Sequence, residues 1–117
     1  MDGQQIEMKP TDLMREIIAT YEKHGWRLRR VLLRVETSAE VGELEGRFAD
    51  AMLLESPVDA LWFSRPSHAN REAWELRQLA ETPYALFQTF VPDESEESRE
   101  EKRSQMEERL VDYVTSK

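Results

Sequence analysis

The sequence predicts an α+β fold: an antiparallel sheet of about four strands with an N-terminal helix, a short middle helix and a C-terminal helix. Three observations carry this. Leu13, Met14, Ile17, Ile18 and Tyr21 recur at the three- and four-residue spacing of one apolar helical stripe. The runs VDALWFSR, EAWELRQL and YALFQTFV follow one another across short gaps, PSHANR and AETP, which carry turn residues as antiparallel neighbours require. After Pro92 the composition turns to DESEESREEKRSQMEERLVDYV, a charged helical pattern whose apolar stripe (Met106, Leu110, Tyr113, Val114) lies in its second half.

Residues 1–9 have no periodicity and suggest a flexible N-terminal segment. A single α+β domain is expected over 10–92, with 93–117 as an acidic C-terminal helix packing on it through its second half. The first helix spans about 11–24. Thr11 or Asp12 is its expected cap, and Gly25 its expected stop, since glycine enters the left-handed conformation that ends helices without a Cβ penalty. The next run, WRLRRVLLRV, suits a strand with imperfect alternation. Trp26, Leu28 and Leu32 share one parity and Val31, Leu33 and Val35 the other, so either a bulge near Arg29 and Arg30 switches faces or the second half is buried on both sides.

TSAE, residues 37–40, fits a capping box, and Val41, Leu44, Phe48 and Met52 continue at helical spacing until Ser56 meets Pro57. The three later runs form a meander of strands. NREAWELRQLAE has a helical alternative through its Ala, Glu, Leu, Arg and Gln content. Asp93 and Glu96 are the expected cap pair of the last helix, whose first half is expected to be a solvated extension. The first helix and the end of the last are expected to cover one sheet face. WRLR at 26–29 and WELR at 74–77 share a pattern that sets Trp and Leu on one face and Arg on the other in each strand.

The formal net charge is −8, from 24 acidic and 16 basic residues, which opposes approach to phosphate backbones and argues against nucleic acid as partner. No run approaches the ~20 apolar residues that cross a bilayer, and the polar start lacks the basic-then-apolar order of a secretory signal. A cytoplasmic protein without membrane contact is expected. There is no cysteine, so thiolate catalysis and sulfur-ligated metals are excluded.

Asp59, Ser64, Ser67 and His68 supply the residue types of nucleophilic catalysis, but Ser67 and His68 are adjacent, with no elbow and no nearby glycine for an oxyanion hole. A polar turn between strands explains them, and no catalytic residue is expected. His24 and His68 lie in no two-ligand spacing, and Glu96, Glu97, Glu100 and Glu101 suit a solvated helix face, so no metal and no cofactor are expected.

Twelve arginines against four lysines are the more informative set. Arg forks pair bidentately with carboxylate or phosphate and stack on Trp, which makes Arg29, Arg30, Arg65 and Arg77 the candidate anion-binding residues beside Trp26, Trp62 and Trp74. Against this, Glu72, Glu75 and Asp59 are placed to pair with arginines across the ladder, leaving only an exposed charged face. The function expected first is that of a small non-enzymatic protein acting through protein–protein contacts, as a homodimer in which the Arg/Trp-rich sheet and the acidic helix complement each other. The alternative is a binding module for a small phosphate- or carboxylate-bearing ligand on the arginine-rich face.

Overall fold

The computed structural model describes residues 9–41 and 51–116. In chain order it contains α1 (Pro10–Lys23), β1 (Arg27–Leu33), α2 (Val35–Val41), β2 (Met52–Glu55), β3 (Ala60–Pro66), β4 (Glu72–Gln78), β5 (Ala85–Phe90) and α3 (Glu96–Thr115), with one 3₁₀ turn at His68–Asn70. The strands lie in the order β2-β1-β3-β4-β5. β1 runs parallel to β2, and the other neighbouring pairs are antiparallel. The sheet is therefore mixed and five-stranded, not the antiparallel sheet of about four strands that the sequence predicts. Met52 falls at helical spacing from Phe48, and that coincidence hides the short edge strand β2. The rest of the expected middle helix, through Leu44 and Phe48, lies outside the described residues, as does the expected flexible segment except for Lys9.

The meander β3–β4–β5 forms as expected. Glu72–Gln78 is strand despite its helical propensity, because Trp74 and Leu76 are buried on one face while Glu75 and Arg77 alternate to the other. A period of two that buries Trp and Leu outweighs propensity differences of tenths of a kcal/mol per residue. In β1 the register steps from Leu28↔Phe63 to Arg30↔Trp62, so Arg29 is the extra residue of a bulge. The bulge puts Arg29 and Arg30 on the same side, since both guanidiniums lie over Trp74.

The two helices cover opposite faces, not one. On one face α1 buries Met14, Ile17 and Ile18 against Leu28, Val31, Leu33, Leu61 and Phe63. On the other, α3 buries Met106 and Leu110 against Leu32, Ala60, Trp62, Trp74, Leu76 and Phe90. The continuous apolar runs Val31–Leu33 and Ala60–Phe63 demand this, because a strand without alternation needs cover on both sides. The WxLR echo holds within each strand, yet Leu28 joins the α1 layer whereas Trp74 and Leu76 join the α3 layer.

The helix ends differ from expectation in detail. α1 starts at Pro10, where a missing N–H costs nothing, with Lys9 as an N-cap that makes no side-chain bond; Thr11 and Asp12 fall inside the first turn. α2 starts two residues before Thr37. The Thr37 side chain is buried, and its hydroxyl donates to Asp59 Oδ2 (2.6 Å), while the Arg34 backbone N–H donates to Asp59 Oδ1 (2.7 Å). Thr37 thus ties α2 to the segment before β3 and caps nothing. Ser95, not Asp93, caps α3, accepting from the Ser98 N–H at 3.1 Å. Gly25 adopts φ +88° in the turn from α1 into β1, as a helix stop requires.

Candidate functional site

The loop joining β3 to β4 closes through two bonds, from the Ser67 N–H to the Arg71 carbonyl (2.8 Å) and from the Arg71 N–H to the His68 carbonyl (2.9 Å). Ala69 and Asn70 both hold positive φ, 55° and 60°, which turns the chain back within five residues. Asparagine tolerates that region, and alanine enters it at a cost of about 1–2 kcal/mol. Ser67 and His68 lie in this turn, as expected. Among the described residues no bond joins either of them to a partner that would make a nucleophile–base pair.

The end of this hairpin lies beside the first residues of β1, with Ser64 opposite Arg27. Together they form an open groove of about 600 Å³ lined by Gly25, Arg27, Arg29, Ser64, Arg65, Pro66, Ser67, Asn70, Arg71 and Glu72. Four of these residues are arginines and one is an acid. Two of the arginines are held in place. Arg29 donates to the buried Ser64 Oγ (3.0 Å) and lies 5.1 Å from the Trp74 ring centroid. Arg65 donates to the His24 carbonyl (2.8 Å) and lies 4.7 Å from the Trp26 centroid. Each keeps further N–H donors, because a guanidinium carries five.

Arg27 and Arg71 are exposed, and among the described residues neither has a hydrogen-bonding or ion-pairing side-chain partner. Glu72, the single acid, is already engaged: its Oε1 accepts from Trp74 Nε1 (2.8 Å) and from Arg99 Nη1 (3.2 Å). The groove is therefore a local concentration of positive charge on an acidic chain. Arg29 is held on the α3 side of the sheet and Arg65 on the α1 side, so two strands and a turn bring arginines to one end of the sheet from both faces; such fork-shaped donors suit an oxyanion.

The four arginines singled out from sequence are divided by the fold. Arg29 and Arg65 both line the groove, Arg29 from the α3 face of the sheet and Arg65 from the α1 face. Arg30 points under α3, where it holds Glu100 bidentately at 2.9 and 3.3 Å. Arg77 lies on the α1 side and donates to the carbonyls of Gln78 and Ala80. Its strand neighbour Glu75 accepts the Tyr21 hydroxyl (2.5 Å), and burial, followed by that carboxylate, pushes the phenol well above its ordinary pKa. The sequence singles out Arg29 but not Arg27, although both stand in the run WRLRRVLLRV. Arg71 carries no sequence signal beyond its place after a turn.

A second cluster lies under the first half of α3, which the sequence suggests is solvated. Arg103 is 2% exposed, with its guanidinium 4.4 Å from the Trp74 centroid and 5.6 Å from that of Phe90. It donates to Glu96 and to Glu100 Oε1 (3.0 Å). Arg99 reaches the carbonyls of Val91 (3.0 Å), Pro92 (3.3 Å) and Glu94 (3.0 Å), and Lys102 pairs with Glu94 at 2.7 Å. Arg30, then Arg103, hold the Glu100 carboxyl below its usual range, and Lys102 and Ser98 do the same for Glu94. Here each cation has its acid, so this cluster fastens the helix and leaves no charge over. The complementarity between arginine-rich sheet and acidic helix, expected to join two copies, is met inside one chain.

Glu97 and Glu101 make no ion pair among the described residues, and no group of three or more His, Asp or Glu there is arranged to hold a metal. No described helix is long and apolar enough to cross a membrane. No protein-family model matches the sequence, and neither a curated protein nor a solved structure is similar to it, so the groove's own chemistry is the ground for a functional reading.

Proposed function

We propose that this chain is a non-enzymatic binding module for a small anionic ligand, bearing phosphate or carboxylate, held by Arg27, Arg29, Arg65 and Arg71. One observation carries the reading: four arginines line a single groove at the end of the sheet, and the one acid among its described lining residues is already bound to Trp74 and Arg99. Arg29 and Arg65 are oriented by Ser64, Trp74, the His24 carbonyl and Trp26, which lowers the entropy lost on binding. Arg27 and Arg71 supply uncommitted charge. The cytoplasmic setting expected from sequence remains part of this reading.

A thermal-shift panel of phosphorylated and carboxylated metabolites tests it. A ligand present at 100 times its Kd stabilises by about 2.7 kcal/mol, a shift of several degrees in a domain this size. The shift should weaken as salt rises and disappear in the double variant Arg27→Glu, Arg71→Glu. A flat panel, or equal shifts in wild type and double variant, overturns the assignment.

A further inference from the structure

Among the described residues the strand β5 forms one edge of the sheet with no strand beyond it, and its sequence, ALFQTF, carries no charge. It sits inside residues 82–92, the longest stretch of this chain without Asp, Glu, Lys or Arg, in a protein of which 34% is charged. Natural edge strands are blunted by lysine, proline, bulges or a covering element. None of these is present within β5, whose pairing with β4 is regular from Ala85 to Phe90. Phe87 is 58% exposed, and its ring meets the edge of Trp26 at 6.4 Å.

The direction of the free backbone groups follows from the ladder. The Gln78 N–H donates to the Tyr84 carbonyl at 2.9 Å, so Tyr84 faces β4, and the antiparallel alternation makes Leu86, Gln88 and Phe90 do the same. Ala85, Phe87 and Thr89 therefore turn their N–H and C=O groups outward. The Thr89 carbonyl agrees, since it is taken by the Gln88 side-chain amide (3.0 Å) and not by β4.

We propose that β5 pairs antiparallel with β5 of a second copy of this chain, about a two-fold axis at Phe87. In that register Phe87 opposes its own symmetry mate and Ala85 opposes the second copy's Thr89, each pair exchanging both its backbone bonds, with the Thr89 carbonyl using its second lone pair beside the Gln88 amide or releasing that amide. On that face the residues are small, large, small, so two phenylalanine rings meet between Ala85 and Thr89 without crowding. Charge selects the occupant. Two chains of net charge −8 repel each other wherever acidic surfaces approach, and this edge brings no ionisable side chain to the axis. The arginine groove at the end of the β3–β4 hairpin takes no part, so the dimer stands or falls independently of the ligand reading.

Analytical ultracentrifugation of the full chain over a wide concentration series reads the mass. The expected result is twice 13.8 kDa for wild type. Phe87→Lys, which sets two cations side by side at the axis, and Thr89→Pro, which removes an outward N–H that β4 does not use, should each halve it with the circular dichroism spectrum unchanged. Because the chain has no cysteine, Phe87→Cys gives a single thiol at the axis. It should form an inter-chain disulfide under mild oxidation, while Asn70→Cys at the exposed hairpin tip stays reduced. A wild-type mass of 13.8 kDa throughout the series, a doubled mass retained by both Phe87→Lys and Thr89→Pro, or cross-linking at position 70 as fast as at 87 overturns the proposal. The cross-link comparison decides the matter if Phe87→Lys fails to fold.

Discussion

Replacing Arg103 tests whether a buried cation fastens α3 to the sheet. Arg103→Met keeps an apolar stem against Trp74 and Phe90 and removes the guanidinium. Its position 4.4 Å from the Trp74 centroid, largely desolvated, is worth about 1–2 kcal/mol. The bonds to Glu96 and Glu100 add little, because those side chains are 75% and 52% exposed and rehydrate when released, about 0.5 kcal/mol each. Against these gains stands the desolvation of the guanidinium itself, which an apolar replacement no longer incurs. The balance is a destabilisation of about 1–2 kcal/mol for Arg103→Met. It rises to about 3 kcal/mol for Arg103→Ala, which also leaves a cavity. Urea unfolding followed by tryptophan fluorescence measures both, and hydrogen exchange should quicken in residues 96–103 before it does around Leu110. If Arg103→Met is as stable as wild type or more so, desolvation outweighs the cation's partners, and the first half of α3 is held by something else.

Two further outcomes follow from the same geometry. Glu100 has a folded-state pKa below its unfolded value of about 4.3, so its stabilisation is complete above that value and is lost as pH falls through the folded pKa. Glu100→Gln should therefore flatten the acid limb of a plot of urea midpoint against pH, by about 0.5 kcal/mol for a half-exposed carboxylate; an unchanged limb contradicts the pairing with Arg30. Gly25→Ala places a Cβ where no atom lies within 4 Å, yet at φ +88°. The cost is then backbone strain alone, about 1 kcal/mol in thermal unfolding, and a neutral result would mean that the turn relaxes to negative φ.

Periodicity made α1 legible, and the broken parity of WRLRRVLLRV left two explanations, a bulge near Arg29 and Arg30 or a second half buried on both sides, both of which the strand contains. The hairpin turn around Ser67 and His68 was equally readable, because proline and asparagine punctuate two runs of strand. What alternation does not reveal is which layer covers a given face. Val31, Leu32 and Leu33 are all buried, but only the pairing of β1 with β2 and β3 decides that Leu32 meets α3 while its neighbours meet α1. The same limit divided the arginines. Arg29 and Arg30 share a face through the bulge, Arg65 and Arg77 are on neighbouring strands but at different ends of the hairpin, and Arg71 joins Arg27 only because antiparallel pairing brings the end of the hairpin beside the start of β1. Arg103 looked like a solvated helix residue because every neighbour in sequence is charged or polar. Its burial is caused by Trp74 and Phe90, far away along the chain.

The bulge has a further consequence for how the groove is able to change. Leu28 opposes Phe63 and Arg30 opposes Trp62, so Arg29 is a supernumerary residue that the ladder does not count. Losing it would close the strand into ordinary alternation, with Leu28 still inward and Arg30 still under Glu100, and would take away the contacts to Ser64 and Trp74 and nothing else. A one-residue deletion, usually ruinous in a central strand, is at this position an excision of one guanidinium from the groove. The protein carries that part of its charge as a detachable insertion, free to be gained or lost without renegotiating the core.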